Sequence, residues 1–286
     1  MLLFAYMSSR CHFVSFGAGR KGYGSALRRL RKEIKKLDPN ACVWLFDESN
    51  IGDEIPGLDS ALSDFVRANS RGFGLWVWKP WVVLEVMKKA QEGDIVFFLD
   101  AGCTVHTSKA SKLRYQWYLK HIQEHGNLFF DYGQAEFYWT KSEVINYFQL
   151  NENDINSGQI VGGVQGHLVS REKRQFVEDW LRACTIDGGR LLKDVNSWDH
   201  EDKRFIGHRH DQSVLSCLVK REGFSVIPDE TFHYPKWNRD GSGFPFWATR
   251  KISGVPSWMG YYSPVAVIRG RVNRLRKIML QKSPIA

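Results

Sequence analysis

Apolar and polar positions alternate along the first hundred residues in two rhythms. The run "CHFVSFG" is short, apolar and closed by glycine, which predicts a buried strand opening into a Gly-rich loop, "GAGRKGYG". Behind it, "SALRRLRKEIKKL" carries Leu27, Leu30, Ile34 and Leu37 at helical spacing. "ACVWLFDES" predicts a second strand ending in Asp47 and Glu48, and "LDSALSDFVRAN" a second helix. "WKPWVVLEVMKKA" puts a proline where the first turn of a helix accepts one, then passes through Gly93 into a third strand, "DIVFFLD". Repeated alternation of strand and helix predicts an α/β fold with a doubly wound, mainly parallel sheet flanked by helices. Ligands of such sheets sit beyond the carboxyl ends of the strands, so Ser15, Phe16, Gly17, Asp47 and Asp100 to Gly102 are expected along one crevice.

The second half is less regular. "GNLFFDYG" and "GQIVGGVQGHLVS" predict strands, the latter with enough glycine for close approach of backbone or ligand. "REKRQFVEDWLRAC" and "DQSVLSCLVKREG" predict helices, and "FSVIPDETFHYP" a late strand. Without a repeat or a low-complexity tract, the chain divides into one domain over residues 1–236 and an extension over 237–286.

Composition narrows the class. A chain of 286 residues, 43% hydrophobic and 14% aromatic, supplies a real core. The five cysteines are odd in number and show no C-x-x-C pairing, which argues against a disulfide framework and for a reducing compartment. "MLLFAYM" is too short and lacks the basic flank of a signal peptide, and no run of about 18 apolar residues occurs to span a bilayer. A cytoplasmic protein, at most peripheral on the inner face of a membrane, is the expectation. Forty basic against 31 acidic residues, a formal charge of +9, favour anionic partners.

Asp100 is the first candidate for chemistry. A carboxylate at the end of "VFFL" is either an N-cap for the succeeding element or a ligand for a hard cation, Mn²⁺ or Mg²⁺, that also holds substrate phosphates. On the second reading Ala101 and Gly102 are small because a diphosphate or sugar lies against them.

At this point the chain resembles nucleotide-sugar-dependent glycosyltransferases of the GT-A fold. The resemblance is carried by "GFGLWVWKPWVVLEVM", "FLDAG" at a strand end, "NSGQIVGG", an aromatic-rich helix with Trp180, and "HDQSVL", in that order over roughly residues 11 to 235. The segment around "WVWKP" is similar to one in bacterial polysaccharide and O-antigen transferases. The resemblance implies a Rossmann-like mixed sheet, a nucleotide-sugar donor and a glycan or lipid-linked glycan acceptor in surface polysaccharide synthesis. It implies an Asp-x-Asp motif at residue 100, of which the second aspartate is here Gly102, and a late histidine as metal ligand, matched by His233 in "FHYPKW". It also implies that Asn156, Ser157 and Gly158 line the acceptor side. Arg71, Lys79 and Lys236 are candidates for direct phosphate pairing.

Transfer needs a stabilised leaving diphosphate, an activated acceptor hydroxyl and exclusion of water. Asp211 in "HRHDQS" is the leading candidate for a base or acceptor-orienting carboxylate, with helix capping as its other explanation; Asp131 and Glu136 are alternatives. Trp139, close to Lys141, is a candidate acceptor contact because sugar rings stack on tryptophan. In "VAVIRGRVNRLRKIML", Ile268, Val272, Leu275 and Met279 form one stripe among basic residues, either a docked surface helix or an anchor on an anionic membrane. Two other classes compete: an inactive nucleotide-sugar-binding relative, given Gly102, and a basic nucleic-acid-binding protein, against which the absence of the common binding motifs counts.

Overall fold

Ten strands and the helices between them appear in a computed structural model, which describes residues 9–18, 22–55, 58–195, 197 and 199–252. The strands are β1 Cys11–Phe16, β2 Cys42–Phe46, β3 Ile95–Leu99, β4 Thr104–Val105, β5 Asn127–Leu128, β6 Phe130–Ala135, β7 Gly158–Ile160, β8 Val164–Leu168, β9 Ile227–Pro228 and β10 Phe246–Trp247. The main sheet has the order β2-β1-β3-β8-β5. β1, β2 and β3 run parallel, whereas β8 is antiparallel to both β3 and β5. The expected mixed, mainly parallel α/β sheet is therefore present, with β8 as the reversed strand.

β3, "IVFFL", is buried along its whole length because helices cover both faces. Its side chains alternate: Val96 and Phe98 enter one hydrophobic cluster, Ile95, Phe97 and Leu99 the other. The first cluster takes Val82, Val83, Val86 and Met87 from helix Trp78–Lys89, Trp180 from helix Arg171–Gly189, and Val214 and Leu215 from helix Asp211–Arg221. The second takes Leu30, Ile34 and Leu37 from helix Tyr23–Leu37 and Tyr115, Tyr118 and Ile122 from helix Lys109–His125. The stripe expected at Leu27, Leu30, Ile34 and Leu37 is buried as one face. Each such side chain contributes about 1.5–3 kcal/mol on burial. Near the start of the sheet, Trp44 Nε1 donates to His12 Nδ1 at 3.1 Å, so His12 Nε2 carries the proton it gives to Asp94 at 3.0 Å. This buried polar chain ties β1 to β2 and to the turn before β3.

Two expected strands are each split. "GNLFFDYG" becomes β5 in the main sheet and β6 in a separate sheet of order β7-β6-β9, with the fully buried Phe129 between them. "GQIVGGVQGHLVS" becomes β7 and β8, with Val161, Gly162 and Gly163 crossing from one sheet to the other. The late strand of "FSVIPDETFHYP" shortens to β9.

Residues 237–252 pack back onto the domain. β10 pairs antiparallel with β4, and Phe246 is buried in the second cluster against Phe97 and Tyr118. The boundary expected at 236 and 237 thus falls inside a segment that completes this core. The stripe Ile268, Val272, Leu275 and Met279 lies outside the described residues. Among the described residues no helix is long and apolar enough to cross a membrane.

Candidate active site

β1, β2 and β3 end at the same level, since Phe16 stands opposite Phe46 and Val14 opposite Phe98. Beyond β3, Asp100 opens a tight turn: its N–H donates to Gly163 O at 2.9 Å, and its carbonyl accepts from Cys103 N–H at 2.8 Å. The turn is stapled from below by Arg29, whose guanidinium donates to the carbonyls of Ala101, Cys103 and Lys251 at 3.3, 2.8 and 2.9 Å. The short strand β4 comes after this turn rather than a helix, so the capping explanation of Asp100 does not apply. Its side chain is 47% exposed. A Cβ on Gly163 would lie 2.5 Å from Asp100 Oδ2, so any larger residue there displaces the carboxylate.

Lys79 reaches this carboxylate from beneath. It sits in the first turn of helix Trp78–Lys89, and its ammonium lies 2.6 Å from Asp211 Oδ2 and 3.6 Å from Asp100 Oδ1. It also donates to Gly162 O at 3.1 Å and lies 5.2 Å from the centre of the Phe98 ring. Lys79 is 4% and Asp211 5% exposed. Burial pushes the Asp211 carboxyl from 3.8 up to about 6, although Lys79 pulls it the other way. Burial opposes the charge on Lys79 too, yet the two carboxylates hold its pKa above the ordinary value. Asp211 is the first residue of its helix, where the helix dipole favours a carboxylate. It makes no cap, the N-cap position being His210.

The segment that feeds Lys79 into place is unusual. Phe73, Gly74, Leu75 and Trp76 all have positive φ, 52°, 85°, 55° and 60°, a short left-handed coil. Non-glycine residues pay about 1–2 kcal/mol each for this conformation. Trp78 Nε1 bonds Gly72 O at 3.0 Å, and a Cβ on Gly72 would collide with the Trp76 ring. The glycines of "RGFGLW" therefore aim the helix that carries Lys79.

Several expected donor contacts are placed otherwise. Ser15 and Phe16 are buried, Phe16 with its ring 4.4 Å from that of Trp78, so neither side chain lines an open crevice. Gly17 bonds Phe46 O at 3.0 Å and packs on Tyr23. Lys79 is locked between carboxylates rather than offered to a phosphate. Ala101 is buried, and the space beside Gly102 is filled by the chain itself: a Cβ there would lie 2.8 Å from Arg250 Cα. The smallness of Gly102 thus makes room for residues 250 and 251, not for a ligand. Arg71 is exposed, 3.4 Å from Asp194 and near the Trp76 ring, and Lys236 is exposed beside helix Trp237–Asp240.

The expected acceptor residues separate into two groups. Glu136 is fully buried and accepts from Thr140, Gln159 and Ser216 while pairing with Lys220 at 2.7 Å. Lys141, 4% exposed, donates to Arg190 O and pairs with Glu143 at 2.7 Å. Both are structural anchors without a face toward an acceptor. Asp131 accepts from Gly133 N–H at 2.7 Å and packs against Gly158, which leaves no room for a Cβ. Asn156 and Ser157 turn back on the end of helix Glu152–Asn156, bonding the carbonyls of Glu152 and Asp154. Trp139 is partly exposed, and its indole lies 3.8 Å from the Arg209 guanidinium.

A divalent cation does not fit the side chains gathered here. One oxygen of Asp100 faces Lys79, and the second carboxylate of the Asp-x-Asp pattern has no room at Gly102. The imidazole of His233 is stacked on Phe244 at 5.2 Å, with Nε2 on Glu230 O at 3.0 Å. Among the described residues no group of three or more His, Cys, Asp and Glu side chains converges. The expected pairing of Asp100 with His233 around Mn²⁺ or Mg²⁺ therefore lacks its ligand set among these residues.

No family model matches the chain, and no curated protein does. Similar solved structures include the galactosyltransferase LgtC in complex with donor and acceptor sugar analogs, 12% identical over 92% of this chain and 94% of that one, with a TM-score of 0.49. Mouse xyloside xylosyltransferase 1 in its apo form is 8% identical over 87% and 100%, with a TM-score of 0.46. A glycosyltransferase involved in glycosylation of the major capsid of PBCV-1 is 11% identical over 83% and 92%, with a TM-score of 0.44. Identities this low, with TM-scores below 0.5, carry no assignment of activity to this chain.

Proposed function

We propose that this protein is a glycosyltransferase of the GT-A type that moves a sugar from a nucleotide diphosphate to a hydroxyl of a glycan or lipid-linked glycan. The observation that carries the reading is the half-exposed Asp100 carboxylate at the carboxyl edge of β3, backed by the buried Lys79–Asp211 pair. The resemblance of "WVWKP", "FLDAG" and "HDQSVL" to transferase segments supports it, because all three supply members of this one array: Lys79, Asp100 and Asp211.

In the reaction the acceptor oxygen bonds the anomeric carbon, the bond from that carbon to the diphosphate oxygen breaks, and the electron pair leaves with the diphosphate. The acceptor hydroxyl gives its proton to the departing diphosphate oxygen as that oxygen gains the electron pair. Asp100 is the carboxylate of the array that faces the reactants, so it orients the sugar at the reacting carbon. Lys79 and Asp211 act through it as positioning residues: the ammonium holds Asp100 in one rotamer, and Asp211 holds the ammonium. Asp211 lies too deep to serve as the base toward an acceptor. A role in surface polysaccharide synthesis rests on the "WVWKP" resemblance alone.

The test is a screen of nucleotide sugars by thermal shift, followed by donor turnover with wild type and Asp100→Asn. A donor that raises the melting point of both, but is turned over at least 100-fold more slowly by the variant, supports the proposal. A donor bound but not turned over by wild type points to the inactive relative. Equal turnover by both proteins removes Asp100 from the chemistry.

A further inference from the structure

Arg209 has no carboxylate counter-ion within 4 Å among the described residues, although it is half-buried. Its guanidinium carbon lies 3.8 Å from the Trp139 ring centre and 4.6 Å from that of Tyr132. One N–H donates to Gln159 Oε1 at 3.2 Å, and the same oxygen accepts from Gln212 at 2.9 Å. The backbone N–H of Arg209 bonds Trp139 O at 3.1 Å and Ser213 Oγ at 3.1 Å, so both ends of the residue are fixed. Glu136 is the nearby acid, but it is buried behind Gln159 and already paired with Lys220. Burial lowers the pKa of the guanidinium; the Tyr132 hydroxyl, which it hydrogen-bonds, and Glu136 pull it back up, while repulsion from a second cation, Arg250, lowers it further. A planar fork held against two aromatic faces, beside another arginine and lacking an acid of its own, has the chemistry of an oxyanion site.

Its position says which anion. Gln212 packs on Gly162, whose neighbour Gly163 packs on Asp100, so Arg209 adjoins the reacting edge. Its aromatic partners belong to β6 and the turn after it, outside the parallel edge of β1 to β3 where a nucleotide has its crevice. We propose that Arg209, with Trp139 and Tyr132, binds a carboxylate or phosphate carried by the acceptor, so that the preferred acceptor is an acidic glycan. This rests on the glycosyl-transfer reading.

The experiment compares a glucuronate-terminated with a glucose-terminated glycoside as acceptors for wild type, Arg209→Gln and Arg209→Lys. Wild type should favour the acidic acceptor in kcat/KM by about 10- to 100-fold, the factor a charge-assisted hydrogen bond supplies. The preference should collapse toward one in Arg209→Gln, mostly through KM, and return in part in Arg209→Lys. Affinity for UDP and GDP, measured by calorimetry, locates the anion: a loss confined to nucleotide binding, with acceptor preference intact, assigns Arg209 to the donor diphosphate and overturns the proposal. An active enzyme that treats both acceptors alike also overturns it. Should no donor be turned over, the transfer reading fails separately, and saturation-transfer NMR decides this one. Signals from the glucuronide alone, lost in Arg209→Gln, support the site; equal signals from both glycosides refute it.

Discussion

Replacing Lys79 by methionine keeps a similar stem and withdraws the charge lodged between two carboxylates. Asp211, 5% exposed, then loses the cation 2.6 Å away, and Asp100 loses the one at 3.6 Å. Removing one partner of a buried ion pair costs about 3–5 kcal/mol, so stability at pH 7 should fall by that amount. The loss depends on pH, and Asp211 sets the sign. Its folded pKa of about 6 exceeds the ordinary 3.8, so the native state binds this proton more tightly than the unfolded chain. The stability due to that proton is fully present below pH 3.8 and is lost as pH rises through about 6. Without Lys79 the same carboxyl should rise past neutrality. Going from pH 7 to pH 5, wild type then regains protonation free energy over about one unit, roughly 1.4 kcal/mol, and the variant over two, roughly 2.7 kcal/mol. The deficit of Lys79→Met should therefore shrink by about 1.4 kcal/mol. Urea unfolding at both pH values, read as the midpoint at unchanged slope, measures it. A deficit under about 1 kcal/mol at pH 7, or one no smaller at pH 5, would refute the account of Lys79 as a buried counter-ion.

Three further outcomes are expected. Gly163→Ala puts a Cβ 2.5 Å from Asp100 Oδ2, so turnover should fall about 100-fold as the carboxylate is displaced, while the melting point moves little; unchanged turnover would detach Asp100 from catalysis. Gly102→Asp completes an Asp-x-Asp pair with Asp100, but its Cβ meets Arg250 backbone at 2.8 Å; it should destabilise the fold by about 1–3 kcal/mol without conferring Mn²⁺-dependent turnover, and a metal-activated variant would contradict the packing described. Glu136→Leu strands Lys220 without the partner at 2.7 Å and should lower stability by about 3–5 kcal/mol in urea titrations; a neutral effect would mean the pair is solvated.

Local features are the ones legible in the sequence. The stripe of helix Tyr23–Leu37, the all-apolar β3 and the carboxylate at its end come from period and length within one element. The site is legible only as separate pieces, because its contacts join residues far apart: Lys79 and Asp211 meet across 132 positions (211 minus 79). Gly102 shows why inference from size alone misleads. A missing side chain marks a close neighbour, and the neighbour is the chain's own backbone at residue 250. Glu136 reads as surface chemistry because buried acids are rare, yet Lys220, Thr140, Gln159 and Ser216 all converge on it. Arg209 carries no comparable signal, although it stands in "HRHDQ" two residues before Asp211; its aromatic clamp forms only when β6 and the following turn fold against it. The left-handed coil before Lys79 is announced by Gly72 and Gly74, but the neighbours that crowd them, the Trp76 ring and the backbone of Phe65 and Val66, meet them only in the fold.

The hydrogen bonds that brace the Asp100 turn bridge very long stretches of chain: Thr249 to Gly102 spans 147 residues and Arg29 to Lys251 spans 222. Closing such large loops is entropically costly, and this end is held down by the two-stranded ribbon of β4 with β10 and by Phe246 in the second cluster. The mouth of the cleft should accordingly come apart in mild denaturant ahead of the sheet, so that ligand affinity fades while the circular dichroism is still native. The protein's working life would then be limited by this clasp rather than by its main sheet.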